Sequence, residues 1–429
     1  MPSAGAPDAS SRLLTVEPAS ALLDEPVVLR LTGLVPGEDV TLTATMTDHV
    51  DRHWQSDATF IADHAGVVEV STQAPVTGSY EGAEPMGLFW SMTLETAGGA
   101  PVPFLTPEPL TVALTAVAAR QVVAEARLER RLLAPGVTDE SVHDDGLVGR
   151  FFRPAGAGPF PAVLTLGGSG GGLGGAWQQA ALLASHGYAA LALAYFNAEH
   201  LPPYLHNIPL EYFATALQWL QQRPEVRADR LAVLGYSRGG ELALLLGATF
   251  PALTAVVGYV PSGVVHGSIG VVGEPSWTYQ GESVPYLFPP DAAARHEQVT
   301  AREPVALTPW YLGNLEDHEA VERATIPVER INGPVLLLSG QDDQMWPSPV
   351  LAGIAAERLA QHGHPYPVRH CRYAGSGHAI ILPNLLMPTG GQHPVRGVGV
   401  TFGGTVAVNA RATEAWGETL AFLDNWHRR

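Results

Sequence analysis

The run DRLAVLGYSRGGELALLLGATF, residues 229–250, decides the fold class of this chain. Leu231 to Leu234 are apolar throughout, as a strand buried on both faces requires, and Gly240 to Phe250 carry a helical pattern rich in Leu and Ala. Between them stands Gly235-Tyr236-Ser237-Arg238-Gly239, a G-x-S-x-G. A tight strand-to-helix turn lifts such a serine above its sheet, and small neighbours relieve the crowding there. The helix that follows points its positive end at the same spot, which favours developing negative charge. The five-residue pattern alone recurs by chance; the strand before it and the helix after it mark Ser237 as a nucleophile.

Apolar runs alternate with helical patterns on both sides of this turn: FPAVLTL (160–166), AWQQAALLASHG (176–187), YAALALAYF (188–196), PLEYFATALQWLQQ (209–222), LTAVVGYV (253–260), PVLLLSG (334–340), LAGIAAERLAQHG (351–363) and VRHCRYA (368–374). Apolar strands each followed by a helix predict a mostly parallel sheet covered on both faces, with Leu191–Tyr195 and Val335–Leu338 as central strands. The stretch 262–328 lacks clear periodicity, which fits a lid over the sheet or a surface insertion. Before residue 132 the style differs. In DVTLTATMTD (39–48) Val40, Leu42, Ala44 and Met46 share one face and the threonines the other; PVVLRLTGL, GVVEVSTQA and LTVALTAVAA repeat it. That patterning predicts an antiparallel β-sandwich over 12–132 and an α/β-hydrolase domain over 133–429, joined through the turn-rich LLAPGVTDESVHDDG (132–146).

A serine needs a base, and the base an orienting acid; in this fold they follow in the order Ser, acid, His. The acid belongs just after a late strand, and PVLLLSG runs directly into Gln341-Asp342-Asp343. The G-x-x-D-x-x-x-P spacing from Gly340 to Pro347 favours Asp343, with Asp342 as the alternative. The base belongs on a loop after the last strand, where His378 follows Gly375-Ser376-Gly377; His370 lies within the strand itself. Donors for an oxyanion are expected from the backbone N–H of Arg238 and from the Gly-rich loop after AVLTL, at Gly168, Ser169 and Gly170. Phosphate cradling by that loop is the weaker reading, since no Walker lysine exists here.

Composition narrows the function further. All 24 basic residues are Arg, which excludes P-loop, kinase and Schiff-base chemistry that depends on Lys. The net charge of −18 argues against nucleic-acid binding. A single cysteine, Cys371, rules out an intramolecular disulfide and multi-Cys metal sites; it fits a cytoplasmic setting and reads as an inert packed thiol. His362 and His364 lack a third convergent ligand, so no metal is expected, nor any redox cofactor. Glu241, one turn after Ser237, reads as a helix-surface or supporting structural residue. The opening MPSAGAPDASSRLLTVEPAS reads as a loose tail without a secretory signal, and no apolar run suffices for a membrane span.

Several segments together resemble the acyl-CoA thioester hydrolase and bile acid-CoA:amino acid N-acyltransferase (BAAT) family: GSYEGAEPMGLFWSM (78–92), GGSGGGL (167–173), ALAYFN with LPP soon after, PLEYF, GYSRGGELAL, IPVERI, SGQDDQMWPS and GSGHAI. The resemblance implies a β-sandwich before an α/β-hydrolase domain, a nucleophile at Ser237, an acid in the Asp342-Asp343 pair and a base at His378. The conjugating branch of the family carries Cys as nucleophile and the hydrolysing branch Ser, so Ser237 implies thioester hydrolysis without a cofactor. Acyl-CoA is then the implied small-molecule partner, its phosphates calling for a local cluster drawn from Arg295, Arg302, Arg323 and Arg330. A carboxylesterase or amidase on a small metabolite, an acyl-CoA:amino acid N-acyltransferase, and a non-enzymatic binding scaffold are the competing readings.

Overall fold

The computed structural model describes residues 12–95, 103, 105–288, 304–392, 398–410 and 413–428 of the chain. They form two compact units: the described residues up to Leu132 together with Pro383–Met387, and the remainder from Leu133.

In the first unit, β1 (Leu13–Glu17), β3 (Val28–Thr32) and β6 (Val68–Glu69) make one sheet in the order β1-β3-β6. A second sheet runs β2 (Ser20–Leu22), β10 (Gln121–Arg131), β9 (Leu110–Ala118), β4 (Asp39–Thr47), β5 (His53–Ile61), β7 (Thr77–Gly78), with β8 (Thr93–Leu94) also on β5. Along β4 the residues Val40, Leu42, Ala44 and Met46 are buried while the threonines between them stay half-buried, because successive side chains leave a strand on opposite faces. All pairings here are antiparallel except β2 with β10, a departure from the all-antiparallel expectation. Among the described residues the unit's only helix is the four-residue α1 (Gly87–Trp90).

The second unit is built on an eight-stranded sheet in the order β11-β12-β14-β13-β16-β17-β20-β21. Its strands are β11 (Thr138–Val142), β12 (Val148–Arg153), β13 (Phe160–Leu166), β14 (Ala189–Ala194), β16 (Val226–Tyr236), β17 (Leu253–Tyr259), β20 (Val335–Gly340) and β21 (Val368–Tyr373). From β14 to β21 every pairing is parallel, whereas β11 and β12 join antiparallel, so the sheet is mixed at one edge. Helices α2 (Ala176–Ser185), α3 (Leu210–Gln222) and α4 (Arg238–Thr249) link successive strands and flank the sheet. Every residue of β14 and β20 is buried, and each such leucine contributes about 2 kcal/mol relative to exposure.

Three readings of the sequence need correction. β20 sits beside the edge strand β21, and β14 is third in the order, so neither is central. A strand one place in from the edge, like β20, is as fully buried as a middle strand, and only the edge strands β11 and β21 are largely exposed, so apolar content does not separate an inner strand from a central one. Residues Thr138–Val142 of the turn-rich 132–146 segment are strand β11; only Val142 of TDESV is buried, which is how an edge strand reads as a linker. From 262 to 277 the chain is no surface insertion: Ser262, Val264, Val265, His266, Ser276 and Trp277 are buried, and Trp277 belongs to the main core. Here β18 (Trp277–Tyr279) pairs with β15 (Ile208–Pro209) and β19 (Glu282–Ser283), strands too short to leave a periodic trace.

Candidate active site

The strand β16 ends at Tyr236 and α4 begins at Arg238, leaving Ser237 at φ +58° and ψ −118°. A non-glycine residue rarely adopts this backbone, and it is held here by the Ser237 N–H, which donates to Tyr259 O at 2.8 Å. The turn closes so tightly that a Cβ on Gly235 would lie 1.9 Å from Gly239 O, and one on Gly239 2.3 Å from Gly167 O. Both glycines of the motif are thus steric requirements.

Ser237 Oγ lies 3.0 Å from His378 Nε2, and His378 Nδ1 lies 2.8 Å from Asp343 Oδ2. A carboxylate only accepts, so the arrangement calls for Nδ1 to carry the proton toward Asp343 and for Nε2 to offer its lone pair to the serine hydroxyl. All three side chains are buried, at 4%, 3% and 4% exposure for Ser237, His378 and Asp343. Asp343 also accepts the backbone N–H groups of Met345 at 3.0 Å and Trp346 at 3.2 Å on Oδ1, which fixes its orientation. Asp342 turns elsewhere: it is exposed, and its Oδ2 accepts the Gly404 N–H at 2.8 Å. His370 stays in β21 with Nε2 2.9 Å from Ser339 Oγ, and burial pushes it down to about 4. Aromatic rings surround the His378 imidazole: Tyr236 edge-on at 5.3 Å, Trp346 edge-on at 6.1 Å and Phe402 stacked at 6.2 Å.

Among the residues expected to supply oxyanion donors, Arg238 is the first residue of α4, where a backbone N–H has no acceptor within the helix. Gly168 lies directly against the nucleophile, since a Cβ there would be 3.1 Å from Ser237 Cβ. Ser169 and Gly170 follow it in a half-buried turn closed by the Gly171 N–H donating to Gly168 O at 3.3 Å. The loop is anchored from below by Tyr195, whose hydroxyl donates to Gly167 O at 2.6 Å.

Sequence reasoning missed the side chain of Arg238. It is buried, its guanidinium 3.2 Å from Glu241 Oε2, and it donates to His266 O at 2.9 Å and Ser276 Oγ at 2.6 Å. Glu241 is wholly buried rather than on the helix surface, and its Oε1 accepts the Trp277 indole N–H at 3.0 Å. The i, i+3 spacing of Arg238 and Glu241 hinted at the pair, but its burial depends on the distant 262–277 segment. Burial pushes the Glu241 carboxyl up to about 7 against the pull of Arg238. An unfolded Glu titrates near 4.3, so between roughly pH 4.3 and 7 the native state holds the proton more tightly. This group's stabilisation is therefore complete at acid pH and is lost as pH rises through about 7. Melting curves from pH 5 to 8 are expected to show the parent losing stability relative to Glu241→Gln, by something on the order of 3 kcal/mol in total. Parallel curves would show that Glu241 does not titrate there.

The residues 208–427 match the family model described as BAAT / Acyl-CoA thioester hydrolase C terminal, and residues 24–144 match the Acyl-CoA thioester hydrolase/BAAT N-terminal region. The chain belongs to the acyl-CoA thioester hydrolase/BAAT family. It is 33% identical over 423 residues to acyl-coenzyme A thioesterase 2, mitochondrial, of Mus musculus, covering 96% of this chain and 88% of that protein. With acyl-coenzyme A thioesterase 1 of Homo sapiens it shares 34% identity over 417 residues, 96% of each chain. With acyl-coenzyme A thioesterase 3 of Mus musculus it shares 32% over 427 residues, 98% of this chain and 95% of that one. Ser237, Asp343 and His378 all fall inside the C-terminal family match, while the Gly168 loop lies between the two matched segments.

The remaining residues singled out by sequence take structural or surface places. Cys371 is half-buried in β21, its thiol pushed up by burial. His364 Nε2 sits 3.0 Å from Gly333 O, and no group of three metal-ligating side chains occurs among the described residues. Arg323 is exposed and 3.8 Å from Glu319, and Arg330 is exposed as well; Arg295 and Arg302 lie outside the described residues. No helix among the described residues is long and apolar enough to cross a membrane.

Proposed function

We propose that this chain hydrolyses acyl-CoA thioesters through an acyl-enzyme on Ser237, with His378 as general base and acid and Asp343 as its orienting acid. The observation that carries the reading is the continuous Ser237–His378–Asp343 hydrogen-bonded chain within a member of this family. His378 Nε2 takes the hydroxyl proton as Ser237 Oγ attacks the thioester carbonyl. The C–S bond then breaks and the sulfur leaves with the proton from His378; a water, deprotonated by the same nitrogen, attacks the ester, the acyl–Oγ bond breaks, and Ser237 Oγ takes that proton back as the free acid departs. The Arg238 N–H and amides of the Gly168–Ser169–Gly170 turn serve as oxyanion donors in this reading, supported by their position beside the nucleophile. No step calls for a metal or redox group. The same proposal takes the second unit as an α/β-hydrolase domain spanning 133–429 and the first as a β-sandwich over 12–132, in keeping with its two sheets. A cytoplasmic setting belongs to it on the strength of the lone Cys371.

The test is a panel of acyl-CoAs of increasing chain length set against matched simple esters, with thiol release and free acid both measured. Preference for the thioesters by at least about tenfold in kcat/KM is expected. Faster turnover of the simple esters, or an N-acyl product when glycine or taurine is added, would replace this reading by an esterase or an acyltransferase.

A further inference from the structure

A histidine on a glycine-flanked loop has backbone freedom that a general base cannot tolerate, because its Nε2 must stay within hydrogen-bond reach of the serine oxygen. Displacements of about 1 Å in such a site cost as much as roughly 10²-fold in rate. His378 follows Gly375-Ser376-Gly377, with Gly375 at φ +69°, so something outside the loop must hold it. Its own backbone N–H donates to Phe402 O at 2.7 Å. The N–H of Gly377, immediately before it, donates to the side-chain Oδ1 of Asn409 at 2.9 Å.

Asn409 is fully buried, and its two amide ends are assigned by their partners: Oδ1 faces the Gly377 donor, and Nδ2 donates to Gly403 O at 3.2 Å. The amide therefore spans two chain segments that have no sequence proximity to each other. No side chain fits between them, since a Cβ on Gly377 would lie 2.2 Å from Gly403 O and one on Gly404 2.2 Å from Asn409 Oδ1. The 403–404 turn is in turn tied to the acid loop by the Gly404 N–H, which donates to Asp342 Oδ2, and the Asp342 N–H donates to Ser376 O, both at 2.8 Å. Removing the amide strands a buried N–H and a buried C=O at the base of the histidine loop.

We propose that Asn409 is a positioning residue for the general base: its side-chain amide clamps Gly377 to Gly403 and so holds His378 Nε2 in register with Ser237 Oγ. The inference rests on the proposed role of Ser237 and His378 and is independent of which acyl compound is the substrate. Its test is the second-order rate of Ser237 labelling by a fluorophosphonate, in which the Oγ–P bond forms, fluoride leaves and His378 takes the hydroxyl proton. Asn409→Leu keeps the volume but neither hydrogen bond, and is expected to label about 10- to 100-fold more slowly than the parent. Asn409→Asp regains the acceptor for the Gly377 N–H and is expected to label several-fold faster than the Leu variant. With an acyl-CoA that the parent turns over, kcat should fall in the same proportion and KM stay within about threefold. If Asn409→Leu does not fold at the assay temperature, Asn409→Ala, which lets water reach both groups, takes its place. A folded Leu or Ala variant that labels within threefold of the parent, or a rise in KM with labelling unchanged, would overturn the inference. Normal labelling of a parent that hydrolyses no acyl-CoA would remove the thioesterase reading and leave this one standing.

Discussion

Ser237→Ala is expected to lower thioester hydrolysis by roughly four to six orders of magnitude, because without Oγ no acyl-enzyme can form. Binding should persist, since the substitution deletes one oxygen from a side chain that bonds His378 Nε2. Folding should persist as well: the backbone bond from Ser237 N–H to Tyr259 O does not involve the side chain, and alanine takes the same strained φ at similar cost. The measurement is single-turnover hydrolysis alongside substrate affinity and melting temperature. Retention of more than a few per cent of activity in a folded variant would show that another group is the nucleophile.

The second large effect separates two adjacent carboxylates. Asp343→Asn is expected to cost roughly 10⁴-fold in kcat, because an amide facing Nδ1 favours the wrong imidazole tautomer and withdraws the charge that stabilises the imidazolium. The local frame should survive, as the Asn oxygen can still accept the Met345 and Trp346 N–H groups. Asp342→Asn keeps an acceptor for the Gly404 N–H and should cost less than about tenfold. Comparing the two variants on one substrate decides the matter. Equal losses would mean that the 342–343 loop acts only as a scaffold, and the reverse order would move the orienting role to Asp342.

Legibility in the sequence followed the range of the signal. The β16–α4 turn, the strand before Asp343 and the Gly-rich turn before His378 are each written in fewer than about fifteen consecutive residues, because turn geometry and chain alternation act locally. The β11 edge strand escaped because a polar strand at a sheet edge buries a single residue and so resembles a loop. Sheet rank escaped for the converse reason, since helices on both faces make β20 as apolar as any middle strand.

By itself the sequence determined the residue types that chemistry requires, their order along the chain and the division between an alternating front third and an α/β remainder. The spacing from Gly340 to Pro347 favoured Asp343 over Asp342, but only the tertiary structure shows that Asp343 reaches His378 while Asp342 turns to the Gly404 N–H. The same holds for the Arg238–Glu241–Trp277 network and for Asn409, whose partners lie 36 and 32 residues away along the chain. A buried polar group is defined by what surrounds it, and that surrounding is assembled from segments whose encounter no local pattern records.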